Sequence, residues 1–358
     1  MNSFTRWRGG KGLAAACAVA ALVGAKPQAA GGEATVLAGR TMGTTYQVRY
    51  WGAGEATPAE MAAAIEKLLA TFDEQMSTYR EDSEVSRFNQ APADEWFAVS
   101  PDTAKVVAAS LDFHRDTGGV LDVTVGPVLR AWNLGPGSDR RRELAQPPAE
   151  AELEKALATV GSKHLAVRDE PPALRKDLAG VEVELSSIAP GYAVDLLVEL
   201  LERHGFANVM VELGGEVRAC GRRTDGQPWR IGVESPVGDG GSLARIVPLA
   251  DLALSTAGDY RILRTADGRR YTHIVDPRTG QALAHRGSAV TVLADTCLTA
   301  DALDTPLLVM GAEAGARWCV ERNVAAMFQT LDEAGGVAVQ TTPRFDELAA
   351  RSGEPNAD

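Results

Sequence analysis

The chain is 358 residues long and 45% hydrophobic, enough for one large domain or two closely packed ones with a substantial core. Its 36 Lys and Arg against 48 Asp and Glu give a net charge of −12 with no long basic run, which argues against nucleic acid as the main partner. A phosphate ligand would have to be met by backbone N–H groups or by a metal ion.

Arg6, Arg8 and Lys11 precede Leu13–Ala25, an unbroken run of apolar and small residues ending in Val23-Gly24-Ala25, a place suited to cleavage. Residues 1–30 therefore read as a secretory signal peptide and linker, which implies an exported, periplasmic protein. The run is too short for an ordinary membrane span. The alternatives are an uncleaved anchor in the inner membrane or a lipid on Cys17, although Ala14-Ala15-Ala16 matches the usual leucine-containing lipidation box poorly. The folded domain is expected over 33–345 and a disordered tail over 346–358.

Thr57-Pro58-Ala59-Glu60 is a capping box with Pro at the first helical position, followed by Met61, Ile65, Leu68, Leu69, Phe72 and Met76 on one face. Ser100-Pro101 opens a second helix that Gly118-Gly119 closes, Pro147-Pro148 and Gly161 bracket a third, and Gly191–His204 forms a fourth. Thr44–Tyr50, Val181–Leu185, Asn208–Leu213, Trp229–Val233, Ala244–Leu249 and Gly287–Val292 read as strands. Gly135–Pro148 is a polar loop, and Gly238-Gly240-Gly241 a hairpin turn. Helices cluster before Gly205 and strands after it, which gives an α+β class and not a regular βαβ repeat. With Cys17 gone, Cys220, Cys297 and Cys319 form an odd set without a CxxC pair, and they read as buried thiols with one bridge left open.

No Walker A loop, GxSxG elbow or HExxH is present. Asp301 and Thr305 stand one turn apart on a helix that Thr299 could cap. They are either hard oxygen ligands for Mg²⁺ or a capping Asp beside a Thr bonded to its own turn. His273, one of five histidines, lies in a strand that runs into an Asp276-Pro277 turn, where it is either structural or a general base. Tyr79 follows a helix end, placed to stack on a flat ring or to close a core. Gly191-Tyr192 opens a helix whose N-terminus could receive a phosphate.

Taken in order, MGTTYQV (Met42–Val48), MSTYREDSEVSRFN (Met76–Asn89), LDVTVGPVLRAW (Leu121–Trp132), ELSSIAPGYAVD (Glu184–Asp195), VELGGEV (Val211–Val217), WRIGVESP (Trp229–Pro236), STAGDYR (Ser255–Arg261), YTHIVDPRTG (Tyr271–Gly280) and VTVLADTCLTADALDT (Val290–Thr305) resemble the ApbE family of FAD:protein FMN transferases. The resemblance spans about Thr41 to Gly311. It implies an ApbE-like α+β fold, with mixed or antiparallel sheets, flanking helices and FAD in a cleft between two lobes. By this resemblance Met42, Gly43 and Thr44 match the loop that contacts FAD, and Tyr79 the aromatic position beside the flavin. Asp122, Tyr192, Asp195, Glu212, Gly258 and Asp259 fall in blocks lining the nucleotide site. Asp301, Thr305 and the Ser187 carbonyl match ligands of Mg²⁺, and His273 and Asp276 match the block nearest the pyrophosphate.

The implied reaction is Mg²⁺-dependent transfer of FMN from FAD to a Thr or Ser hydroxyl of an acceptor flavoprotein, with AMP leaving and His273 or Asp276 taking the proton. The acceptor would be a redox-pump subunit or another FMN-carrying domain. Three positions depart from the family: Pro190 where Lys or another polar residue is usual, Ala257 in place of Ser, and Pro306 directly after Thr305. Two rivals stand beside the transferase, an FAD pyrophosphatase and an exported FAD-binding protein without turnover.

Overall fold

Side-chain alternation makes the first strand pair. In Thr44–Trp51 every second residue turns inward, burying Tyr46, Val48 and Tyr50. This strand is the second of eight forming one sheet in the computed structural model, which describes residues 20–21 and 33–353 apart from 137, 139–146, 238–241, 261–262, 267–268, 285–286 and 332–334. The strands are β1 (Thr35–Thr41), β2 (Thr44–Trp51), β3 (Asn208–Leu213), β4 (Glu216–Cys220), β5 (Leu252–Gly258), β6 (Ala289–Ala294), β7 (Ala325–Leu331) and β8 (Val337–Thr341). They lie in chain order across the sheet, and every neighbouring pair is antiparallel. The α+β class read from the sequence holds.

The sheet is a meander interrupted by excursions. Between β2 and β3 the chain forms α1 (Pro58–Met76), α2 (Glu84–Gln90), α3 (Pro101–Asp116), α4 (Gly126–Ala131), α5 (Glu150–Leu157) and α6 (Ala189–Arg203). Between β6 and β7 come α7 (Cys297–Met310) and α8 (Ala312–Glu321), and α9 (Pro343–Gly353) follows β8. The excursion between β4 and β5 is the hairpin of Trp229–Glu234 with Leu243–Leu249. That between β5 and β6 is a small sheet of Leu263–Ala266, Arg269–Asp276 and Gln281–Ala284.

The main core lies between one face of the large sheet and α1, α6 and α7; Ile65, Leu197 and Leu307 are fully buried there. Each such side chain contributes about 1.5–3 kcal/mol. The other face, through Met210, Val217, Leu254 and Met327, packs under the hairpin and α9. A satellite cluster joins Val128 and Trp132 around α4 to Val275 of the outlying sheet, and the Trp132 indole N–H donates to the Gly280 carbonyl (2.8 Å).

The capping box forms as read: the Glu60 N–H donates to Thr57 Oγ1 (3.3 Å) and the Thr57 N–H to Glu60 Oε2 (2.9 Å). Four readings need correction. Val181–Leu185 alternates in burial but joins no ladder, because the Val183 amide and carbonyl are taken by the Asn89 side chain (2.7 and 2.9 Å). The strand expected at Gly287–Val292 is β6, two residues later, since Gly287 has φ +66° and belongs to the preceding turn. The helix after β6 begins at Cys297, capped by Thr296 and not by Thr299. Residues 346–353 are not a tail: α9 runs through them and buries Phe345, Leu348 and Ala349 at i, i+3 and i+4.

The signal-peptide reading falls outside the described residues, except that Ala20 pairs with Gly232 and Ala21 with Ile231. Most of the Gly135–Pro148 loop and the Gly238–Gly241 turn also fall outside them. Among the described residues no helix is long and apolar enough to cross a membrane. Cys220, Cys297 and Cys319 are free and buried.

Candidate active site

Two tight hairpin turns meet at one end of the large sheet. Met42 and Gly43 link β1 to β2 with φ of 47° and 76°, the left-handed pair that a two-residue hairpin turn demands. Methionine rarely adopts that conformation, so the turn holds Met42 against its local preference. Gly214 and Gly215 link β3 to β4, and the Gly214 N–H donates to the Thr45 carbonyl (3.1 Å). A Cβ on Gly214 would lie 3.1 Å from Glu216 Oε2 and 3.2 Å from Thr44 Cγ2, so this turn, Thr44 and Glu216 form one tight corner.

The corner faces an acidic pair, Asp301 and Asp304, one and two turns into α7. Asp301 is buried, its Oδ2 accepting from the Gly191 N–H of α6 (2.7 Å). Burial, then the charge of Asp304, pushes the Asp301 carboxyl well above its ordinary value, although the Gly191 amide opposes this. Asp304, one turn on, accepts from the Ser255 hydroxyl of β5 at Oδ2 (2.7 Å), while its buried Oδ1 has no hydrogen-bond partner. Burial raises Asp304 to about 7. Burial, then the charges of Asp301 and Asp304, likewise raises Glu216. Burial pushes Glu212 up to about 7, opposed by the Gly215 N–H that it accepts (3.1 Å).

Buried carboxylates that repel one another, with one oxygen left over, suit a hard cation. Among the described residues no three His, Cys, Asp or Glu side chains converge to hold a metal by themselves, so a cation here would need other oxygen donors. Thr305 follows Asp304 on α7, and Ser187 lies two residues before α6, next to its N-cap Ile188. Asp304 was missed in the sequence; its signal was a third oxygen side chain at i+3 between Asp301 and Thr305, on the same helical face.

Several residues assigned to the nucleotide are used inside the protein. Asp122 Oδ1 accepts from the Thr124 amide (2.9 Å), the Thr124 hydroxyl (2.6 Å) and the Ser162 hydroxyl (2.9 Å), and its Oδ2 from the Ser162 amide (3.1 Å). Tyr192 is a core residue whose ring lies 6.3 Å from that of Phe72 and whose hydroxyl donates to Asp102 (2.7 Å). Asp195 accepts from Arg218 and from two amides of α7. Asp259 ties the end of β5 to the approach to β6 through Ser288, accepting its N–H (2.8 Å) and donating to its carbonyl (3.0 Å). Gly258 ends β5 where a Cβ would meet the Tyr260 ring at 2.4 Å.

Tyr79 is 46% exposed just beyond α1. Beside it a cleft of about 260 Å³ is lined by Thr78, Asn89, Arg130, Glu182, Val183 and Glu184. His273 is half-buried on the strand Arg269–Asp276, which packs against α7. Asp276 ends that strand; its Oδ1 accepts from the Arg278 amide (2.9 Å) and Nε (3.0 Å), and its Oδ2 from the guanidinium (2.8 Å). Burial alone would raise Asp276, but these bonds and the Arg278 charge outweigh it and hold the carboxyl below its ordinary value.

The departures are accommodated. Pro190 occupies the first turn of α6, where the missing N–H costs nothing. Ala257 is a core residue of β5. Pro306 lies inside α7, which continues to Met310.

The ApbE family matches residues 42–328. An FAD:protein FMN transferase of Vibrio cholerae is 41% identical over 324 residues, covering 90% of this chain and 92% of the relative. Among solved structures, the flavin transferase ApbE from Vibrio cholerae superposes with a TM-score of 0.79 at 39% identity, covering 88% of this chain and 99% of that one. The apo flavinyl transferase ApbE of Pseudomonas stutzeri gives 0.79 at 37% identity, covering 88% and 97%. On a family match that covers most of its length and a relative 41% identical over 90% of it, the chain belongs to the ApbE family.

Proposed function

We propose that this chain is an FAD:protein FMN transferase, which moves the FMN half of FAD onto a Thr or Ser hydroxyl of an acceptor flavoprotein and releases AMP. The observation that carries this reading is the buried pair Asp301 and Asp304, with the Asp304 Oδ1 left over, in a chain 41% identical to a protein of that activity. Asp301, Asp304, Thr305 and the Ser187 carbonyl would hold Mg²⁺, which offsets charge building on the pyrophosphate. FAD lies in a cleft between two lobes, with Met42, Gly43 and Thr44 on one side and Tyr79 against the flavin. Glu212, Gly258 and Asp259 support that cleft through the strand ends.

The acceptor oxygen bonds to the FMN-side phosphorus while the bond from that phosphorus to the bridging oxygen breaks. AMP leaves with the bridging oxygen. The hydroxyl proton passes to a ring nitrogen of His273. Asp276 is the weaker base, because Arg278 occupies both its oxygens and lowers its affinity for a proton. The chain's remaining contribution is to position and to exclude water, as in other phosphoryl transfers. Residues 1–30 are an export signal and linker, so the acceptor is met in the periplasm, where an N-terminal anchor would hold the enzyme near membrane-bound redox subunits.

The test is AMP release from FAD with Mg²⁺, with and without a soluble acceptor domain carrying a flavinylation Thr, followed by the acceptor's intact mass. AMP together with an acceptor heavier by one FMN unit is expected. AMP without labelling would replace the transferase by a pyrophosphatase, and bound FAD without AMP would leave only a binding protein.

A further inference from the structure

Neither α6 nor α7 carries an acidic residue in its own first turn, and α6 has no side-chain cap. Each receives a carboxylate from the other. Asp195 of α6 accepts from the first two amides of α7, Cys297 N at Oδ1 (2.9 Å) and Leu298 N at Oδ2 (2.9 Å). Asp301 of α7 accepts from Gly191 N in the first turn of α6 (2.7 Å). The exchange satisfies orphan donors at both helix starts and sets acidic oxygens at the positive end of each dipole. Arg218 of β4 closes the arrangement, its Nη1 2.7 Å from Asp195 Oδ1.

The two helices are in contact where they exchange. A Cβ on Gly191 would lie 2.4 Å from the Cys297 carbonyl oxygen and 2.7 Å from Asp301 Cβ, so only glycine allows this approach. Asp195 is 4% exposed, and both its oxygens are engaged by protein donors, which leaves it little to offer a nucleotide.

We propose that Asp195 is a positioning residue: it pins the first turn of α7 to α6 and Arg218, and so fixes the Asp301 carboxylate in its place. This rests on the reading of Asp301 as a metal ligand. Removing the pin lets the start of α7 move relative to α6, and the metal site loses its preset geometry while the surfaces that meet FAD are untouched.

The decisive variant is Asp195→Asn, which keeps the volume but sets an amide NH₂ against the Leu298 N–H or the Arg218 guanidinium. Three quantities are compared with the wild type: Mg²⁺ affinity of the FAD-loaded protein by titration calorimetry, FAD affinity by flavin fluorescence, and hydrogen exchange of the amides at residues 297–301. Mg²⁺ affinity is expected to fall about 10–100-fold, as for loss of a partner that orients a metal ligand. FAD affinity should hold, and exchange at Cys297 and Leu298 should accelerate. Arg218→Met, which leaves both amide bonds in place, should give a smaller loss of the same sign and decides the matter if Asp195→Asn fails to fold. Unchanged Mg²⁺ affinity in a folded variant overturns the proposal. Lost FAD affinity with intact Mg²⁺ affinity makes Asp195 a nucleotide ligand instead. A wild-type protein that takes up no Mg²⁺ removes the metal reading itself, a failure visible before any substitution is made.

Discussion

The α6–α7 junction and the outlying sheet that carries His273 are built on opposite plans. At the junction the carboxylates of Asp195, Asp301 and Asp304 are buried, and the Asp304 Oδ1 is buried without a hydrogen-bond partner. In the outlying sheet Asp276 and Arg278 form a local clamp at a turn, with Arg278 about half exposed, and the sheet is tied to the body through the Trp132–Gly280 bond and the packing of Ile274 and Val275. A cation held against a pyrophosphate needs ligands fixed in advance, whereas a group exchanging protons with a visiting hydroxyl needs access to it. Under the proposed function, the difference would separate a site that holds charge from one that moves it.

The largest effect is expected from Asp301→Asn. The substitution retains an oxygen for the Gly191 amide but removes the charge, so Mg²⁺-dependent AMP release should fall by at least about a hundred-fold. Because burial and Asp304 already oppose ionisation of Asp301, the metal-free variant should melt no lower than the wild type. A variant that is both unstable and active would mean that the carboxylate serves the fold. On the other side, His273→Ala should slow transfer by about 10²–10⁴-fold, the usual range for a general base, with FAD affinity preserved. Unchanged turnover with FAD binding lost would move His273 from proton transfer to binding. Gly191→Ala tests the junction by volume alone. Its Cβ cannot be placed without moving the Cys297 carbonyl or Asp301, so a loss of about 1–3 kcal/mol in stability is expected, read from denaturant midpoints. A midpoint equal to the wild type would show that the helices part without cost.

The legible parts of the sequence were those where a local pattern has one physical solution. Thr57 to Glu60 can do little but cap a helix, and the alternation from Thr44 onward fits a half-buried strand. The motifs put Asp301 and Thr305 on one helix, α7, and Ser187 two residues before another, α6. What could not be read was the direction in which a carboxylate points. Asp122, Asp195 and Asp301 are the same residue type in equally recognisable blocks, but both oxygens of the first two are spent on amides, hydroxyls or a guanidinium, several from elements distant in sequence, whereas Asp301 meets the Gly191 amide through Oδ2. Val181–Leu185 failed for a similar reason: its alternation is real, but the Asn89 side chain takes the place of a neighbouring strand. The helix beginning at Cys297 was misplaced by three residues because Thr296 and Thr299 are both competent caps, and the earlier start is the one that Asp195 and the packing of α6 against Cys297 support. Local chemistry was visible, and long-range partners were not.

The mildest test concerns Glu212, next to the hairpin corner. Burial raises its carboxyl from 4.5 to about 7. The sign follows from linkage. Between those values the folded protein holds a proton that the unfolded chain has released, so this group costs stability progressively as pH rises from about 4.5 to 7 and costs a constant amount above. Glu212→Gln keeps an oxygen for the Gly215 amide and never ionises. It should therefore match the wild type near pH 5 and exceed it near pH 8, by on the order of 1 kcal/mol once solvent screening of this partly exposed group is allowed for. Melting curves of both proteins without metal or FAD across that range give the answer. A difference that does not change with pH would mean that Glu212 is ionised throughout, and the corner beside the acidic pair of α7 would then carry one more fixed negative charge than its burial implies.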